Sequence, residues 1–182
     1  MSLADISIQA KEIVGVDSFD PKYLKTASDK FTYYKRDARD LSIFKYNQFD
    51  VGLNFGMLEH IPEPNRYNIM KEMFRVCKRV GIIVPHKYSF IEPHFKLPFF
   101  SLYPLWLQAI LVKTLKLHGM GGQTYQATKK QLKENYFWLS TSEWESYHPG
   151  SKSYKIFLGP ILFGLLVVYN TEDINETLES DF

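Results

Sequence analysis

The sequence has a single cysteine, no long uninterrupted apolar run and almost no surplus of charge of either sign. Each shortage removes a class of protein. Cys77 can have no disulfide partner within the chain, which removes the disulfide-stapled scaffolds, and no charged-then-apolar leader opens the sequence, so a reducing, cytoplasmic setting is expected. The longest apolar stretch, Ile156 to Tyr169, is broken by Gly159, Pro160 and Gly164 and is too short and interrupted to span a bilayer as a helix. Twenty-two Lys and Arg stand against twenty Asp and Glu with no basic block, so nucleic acid is not an expected partner. Internal repeats and low-complexity tracts are missing too.

What is present suits one globular domain: 182 residues, 45% of them hydrophobic, enough for a substantial core. Glu12 to Asp17 is a short apolar run ending in an acid. Asp20 and Pro21 then give an N-cap and first helical residue for a helix bearing Tyr23, Leu24 and Ala27 on one face. Phe31 to Arg36, aromatic and β-branched, reads as a second strand ending at Asp37, and Phe49 to Asn54 as a third. Met70, Met73, Phe74 and Cys77 recur at helical spacing, predicting a helix over 65–79 closed by Lys78 and Arg79, with Cys77 a buried, inert thiol. Gly81 to Pro85 is a fourth strand. This alternation implies a mostly parallel sheet with helices on its faces.

Beyond Pro85 an aromatic and proline-rich segment leads to a helix over 105–117, ended by the glycines at 119, 121 and 122. Thr128 is expected to cap a short helix through Tyr136. Two more strands are expected near 139–147 and 161–169, before a frayed acidic tail over 171–182.

Asp17, Asp37 and Asn54 stand at the C-terminal ends of consecutive expected strands, the side of an open parallel sheet where ligands bind. A carboxylate at Asp17 can accept both hydrogens of a ribose diol. Taken singly, each residue reads equally as a strand end or helix cap.

In combination these segments resemble the class I S-adenosylmethionine-dependent methyltransferases, in particular the small-molecule, type 11-like branch. Val14-Gly15-Val16-Asp17-Ser18 resembles the family's second strand with its ribose-binding acid. Asp37-Ala38-Arg39-Asp40-Leu41 resembles its adenine-binding segment, with Arg36 at the usual glycine. Phe49 to Val51 and Leu58 to Pro64 resemble the fourth-strand motif, Arg75 to Pro85 the next helix and strand, and Gly159 to Gly164 the closing antiparallel strand. The resemblance implies a Rossmann-like α/β fold, mostly parallel with an antiparallel C-terminal strand, over the whole of 1–182. It implies S-adenosylmethionine as cofactor, Asp17, Ser18, Asp37, Ala38 and Asn54 as its contacts, and a small-molecule or envelope saccharide or lipid intermediate as methyl acceptor. The family's Gly-x-Gly-x-Gly loop does not precede Asp17, so the first strand is expected to be missing or replaced: the second and fourth family strands pair directly, residues 4–10 fill the gap, or a second chain does, as in a homodimer. A truncated enzyme and a catalytically silent homologue serving as a binding or assembly module are both compatible with that gap.

His60 and His86 are the candidate proton acceptors. Some relatives bind metal through a Glu-x-x-Glu-His pattern at His60, but Gly56 replaces the first glutamate, so no metal is expected and His60 either takes a proton or caps the turn before Pro62. Tyr88, Glu92 and His94 are expected in the substrate pocket, where a polar lining is preferred over loosely spaced metal ligands. The 88–125 segment is read as a lid or substrate insertion. Its helix, with Leu105, Trp106, Ala109, Ile110, Lys113 and Lys116, either packs as a lid over the sheet or covers a hydrophobic substrate or rests on a membrane surface.

Overall fold

The structure, a computed structural model, describes residues 10–19, 29–148 and 150–170. They form two compact units, one ending at Phe44 and one beginning at Lys45. In the first, β1 (Ile13–Asp17) and β2 (Phe31–Lys35) pair in parallel, with Ile13 opposite Phe31 and Asp17 opposite Lys35. Gly15 permits this pairing to carry an aromatic ring, because a Cβ there would lie 2.8 Å from the Phe31 ring. The helix expected from Pro21, the gap-filling part of residues 4–10 and the acidic tail lie outside the described residues, except for Ala10 and Asn170 at their borders.

The second unit contains β3 (Gly52–Phe55), α1 (Asn65–Val76), β4 (Arg79–Pro85), α2 (Leu105–Thr114), α3 (Tyr125–Asn135), α4 (Thr141–Glu145), β5 (Lys152–Leu158) and β6 (Ile161–Asn170). Its sheet has the order β3-β4-β6-β5, with β3 and β4 parallel and β6 antiparallel to both neighbours. Alternate residues Val80, Ile82 and Val84 of β4 and Leu165, Val167 and Tyr169 of β6 are buried, the period of two that a half-covered strand requires. Each such aliphatic side chain contributes roughly 1.5–3 kcal/mol by leaving water. Ile69, Met70, Met73 and Val76 form the buried stripe of α1. Gly52 lets the layers approach closely, since a Cβ there would sit 2.5 Å from Cys77 Sγ.

A separate cluster lies among the helices: Phe95, Phe100, Ala109, Val112, Met120, Leu132 and Tyr136. The 88–125 segment and α3 thus share a core of their own, and α2 packs into it through Ala109 and Val112.

Two expectations for secondary structure are corrected. Residues 139–147 hold α4 instead of a strand, because Ser140 and Glu143 form a reciprocal capping box that starts a helix; the strand is β5, which follows it. Thr124, not Thr128, caps α3, accepting from the Ala127 amide at 3.2 Å, while Thr128 is buried inside the helix and donates to the Thr124 carbonyl.

The α/β arrangement with a closing antiparallel strand is therefore present. Among the described residues β1 has only β2 as a partner and β3 only β4, so no ladder joins the second and fourth family strands directly.

Candidate active site

Of the five residues expected to contact the cofactor, Asp17, Ser18, Asp37 and Ala38 lie in the first unit. Asp17 ends β1 and Asp37 follows β2, so both lie beyond the C-terminal ends of adjacent parallel strands. Asp17 is exposed, with Oδ1 accepting from the Phe19 amide at 3.2 Å, and Ser18 is exposed beside it. Asp37 is engaged with Arg39, whose backbone N–H and Nε donate to Oδ1 at 2.9 and 3.0 Å and whose terminal nitrogen pairs with Oδ2. The side-chain hydrogen bonds from Arg39 hold the Asp37 carboxyl below the ordinary carboxylate value. Ala38 between them is half-buried. Asn54, the remaining expected contact, belongs to the second unit: it sits near the end of β3 with Oδ1 buried and unpartnered among the described residues, its Nδ2 3.9 Å from Met57 Sδ.

The expected catalytic and substrate residues converge more tightly. Leu58 to His60 form a single 3₁₀ turn between β3 and α1. Arg66 of α1 fixes it from below, donating through Nε to the carbonyls of Leu58 at 3.1 Å and Ile61 at 2.9 Å. Its guanidinium also lies over the rings of Phe137 and Trp144. From the other side the Phe137 amide donates to the Glu59 carbonyl at 2.7 Å. These anchors hold the side chains of Glu59 and His60 in place.

His94 arrives from the loop after β4. Its Nδ1 lies 2.6 Å from Glu92 Oε1, and Glu92 also accepts from the Phe95 amide at 2.7 Å and from Trp138 Nε1 at 3.2 Å. His60 Nδ1 lies 2.7 Å from the Asn135 carbonyl. A carbonyl only accepts, and so does an ionised carboxylate, so both histidines carry hydrogen on Nδ1. Their Nε2 atoms face each other at 3.1 Å. Glu59 Oε1 lies 4.0 Å from one and 3.9 Å from the other, and Glu59 Oε2 is buried without a partner among the described residues.

Two bare lone pairs at that distance repel, so a proton or a cation belongs between them. Burial opposes charge on His94, but the hydrogen bond and charge of Glu92, with the charge of Glu59, outweigh it and raise its pKa above the ordinary 6.5. Burial also raises the Glu59 carboxyl above its ordinary 4.5. As a ligand set the geometry is equally apt: two imidazole nitrogens each about 2.0–2.1 Å from one ion stand roughly 2.9–3.4 Å apart. The donor atoms of Glu59, His60 and His94 all lie within 4.8 Å of one another, and Glu92 backs His94 as carboxylates commonly back metal-binding histidines. Glu59, His60 and His94 are the residues that could hold a metal.

Sequence reasoning set metal aside because Gly56 replaces one glutamate, and it did not single out Glu59. The missing signal is the distance in sequence: the loop return that brings His94 to His60 spans 34 residues. His86 is placed differently. It is buried, its Nδ1 accepts from the Tyr88 amide at 3.1 Å and its Nε2 lies 3.1 Å from Thr141 Oγ1, so both nitrogens are used inside the protein. Burial, then the charge of Lys155, lowers its pKa. Tyr88 itself is exposed beside that ring. A separate open hollow of about 380 Å³, lined by Glu63, Arg66, Tyr67, Glu143 and Tyr147 among others, includes neither of the paired histidines.

Residues 2–84 match the family model described as a methyltransferase domain. The fold is similar to that of a Listeria monocytogenes protein assigned as an S-adenosylmethionine-dependent methyltransferase, with TM-score 0.54 and 12% identity, covering 87% of this chain and 79% of that one. It is similar also to the small RNA methyltransferase HEN1, with TM-score 0.54 and 12% identity over 93% of this chain; the match spans only 22% of that protein's length. No curated protein matches the sequence. Over residues 2–84 the sequence is similar to a methyltransferase domain, and the fold is similar to that of S-adenosylmethionine-dependent methyltransferases.

Proposed function

We propose that this chain transfers a methyl group from S-adenosylmethionine to a hydroxyl of a small molecule or of an envelope saccharide or lipid intermediate. The single observation that carries the acceptor chemistry is the His60–His94 pair, with Nε2 atoms 3.1 Å apart and both Nδ1 atoms pinned. When bound, the cofactor supplies an electrophilic methyl on sulfur. The protein's part is to hold the nucleoside and to take the acceptor's proton. Asp17 fits the first task, since its exposed carboxylate beyond β1 keeps one oxygen clear of the Phe19 contact. Asp37 fits the adenine amino group only by sharing its carboxylate with Arg39.

For the second task an imidazole Nε2 with a free lone pair is a general base, worth roughly 10²–10⁴-fold in rate. Asn135 and Glu92 fix the tautomers that turn both Nε2 atoms toward one point, so the pair takes up one shared proton, and Glu59 and Glu92 stabilise the imidazolium that forms. A second reading of the same atoms is favoured by the unpartnered Glu59 Oε2: Glu59, His60 and His94 would hold a divalent cation, which would acidify a bound hydroxyl.

Calorimetric titration with S-adenosylhomocysteine tests the cofactor site. Saturable binding is expected, weakened about tenfold or more by Asp17→Ala. Absence of heat at millimolar ligand would defeat the enzyme reading and leave the silent binding module.

A further inference from the structure

We propose that the outer face of α2 docks on the surface of an anionic lipid bilayer. Trp106, Ile110 and Lys113 stand at i, i+4 and i+7, one face of the helix, while Gln108, Ala109 and Val112 are buried and the last two join the helical core. Trp106 is 53% exposed and Ile110 43%; Leu102, in the separate 3₁₀ turn before the helix, is 47% exposed and Leu115, just past the helix, 52%. Single exposed apolar residues need no explanation, but Trp106 and Ile110 stand together as an apolar ridge on one face, with Leu102 and Leu115 exposed just outside the two ends of the helix. At ten residues, about 15 Å, α2 is too short to cross a hydrocarbon core of about 30 Å, and no helix among the described residues is long and apolar enough to do so. An exposed apolar pair with Lys113 on the same face suits contact with the interfacial region of a bilayer, the apolar side chains entering it and the ammonium meeting the headgroups.

Charge names the occupant. From Pro93 to Lys133 there are six lysines, at 96, 113, 116, 129, 130 and 133, and not one acid. The remainder of the chain carries sixteen bases against twenty acids, so all of the positive excess is in this segment. The lysines are dispersed, which hides them from a search for basic runs. Lys113 and Lys116 border the ridge, where their stems can lie along it while the ammonium groups reach lipid phosphates. A nucleic-acid backbone would use the lysines and stack on Trp106 but gain nothing from Leu102, Ile110 and Leu115. A second copy seated on this face through the same segment would bring more lysines and no acid to meet them.

Sedimentation with vesicles of equal parts phosphatidylcholine and phosphatidylglycerol tests the proposal without requiring cofactor or acceptor. The protein is expected to pellet with these vesicles and not with phosphatidylcholine alone. Its tryptophan emission should shift to the blue, because Trp144 is fully buried, Trp138 half-buried and Trp106 exposed. Trp106→Ser with Ile110→Ser should abolish both signals, with far-ultraviolet circular dichroism unchanged. Lys113→Glu with Lys116→Glu should weaken binding more than about tenfold. No pelleting with anionic vesicles, or equal pelleting of the Trp106→Ser, Ile110→Ser variant, overturns it. So does binding of a single-stranded oligonucleotide, or a dimer burying Trp106, in the absence of vesicle binding.

Discussion

The two carboxylates proposed to meet the nucleoside, Asp17 and Asp37, differ sharply from the two beside the paired histidines, Glu59 and Glu92. Asp17 and Asp37 are exposed at the ends of a two-stranded ladder, one taking a neighbouring amide and the other tied to Arg39 two residues along. Glu59 and Glu92 are 2% and 1% exposed; Phe137 holds the Glu59 backbone across the fold, and the Glu92 carboxylate is held by the nearby Phe95 amide and by the distant Trp138. Exposed groups held by local bonds can rearrange cheaply when a ligand arrives. Buried groups held by distant anchors are set in advance, and their geometry carries chemical meaning before any ligand is present.

The largest expected effect tests that prior organisation. Cobalt(II) titration followed by visible absorption should give a site that His94→Ala removes entirely; unchanged absorption would show that the ion, if bound, is elsewhere. The pH dependence has a defined sign. Protons must leave His94 and Glu59 before they can ligate, and both have raised pKa values, so affinity should be weak in acid and climb as pH rises through a range reaching above 6.5. In the metal-free protein the same His94 shift contributes stability below the histidine's unfolded pKa, lost as pH rises through the folded value.

Next in size is packing behind the loop. Phe95 is buried and stacked on Phe100 at 4.3 Å, so Phe95→Ala should cost about 3–5 kcal/mol in denaturant unfolding. A loss under about 1 kcal/mol would mean that the helical cluster does not hold the loop. Glu92→Ala should weaken cobalt binding about 10–100-fold by freeing the His94 ring, less than loss of the ligand itself. The smallest effect belongs to the other side: Arg39→Ala should change stability by less than about 0.5 kcal/mol while the Asp37 carboxyl titrates at higher pH by carbon NMR. A large stability loss there would break the contrast between the two halves.

Much of the fold was legible. The apolar run from Ile13, the helical stripe at Met70, Met73 and Cys77, and the β4 and β6 strands all announce themselves through periodicity and flanking turn residues, and the structure places them within a few residues. The region from 139 to 158 was not read correctly, because aromatic and β-branched residues near Trp144 resemble a strand unless the Ser140–Glu143 capping box is weighed against them.

The sequence by itself determined the strands β1 to β4 and β6, the helix α1, the family likeness, and that acids would stand at the ends of β1 and β2. Those properties depend on residues close together in the chain, where propensity, period and caps act. Tertiary structure alone decided that His94 would face His60, that Glu92 would pin its tautomer, that His86 would be spent on Thr141, and that α2 would leave Trp106 and Ile110 uncovered. Each of those outcomes depends on loops closing across tens of residues onto a shared core, and no local pattern encodes where such a closure ends.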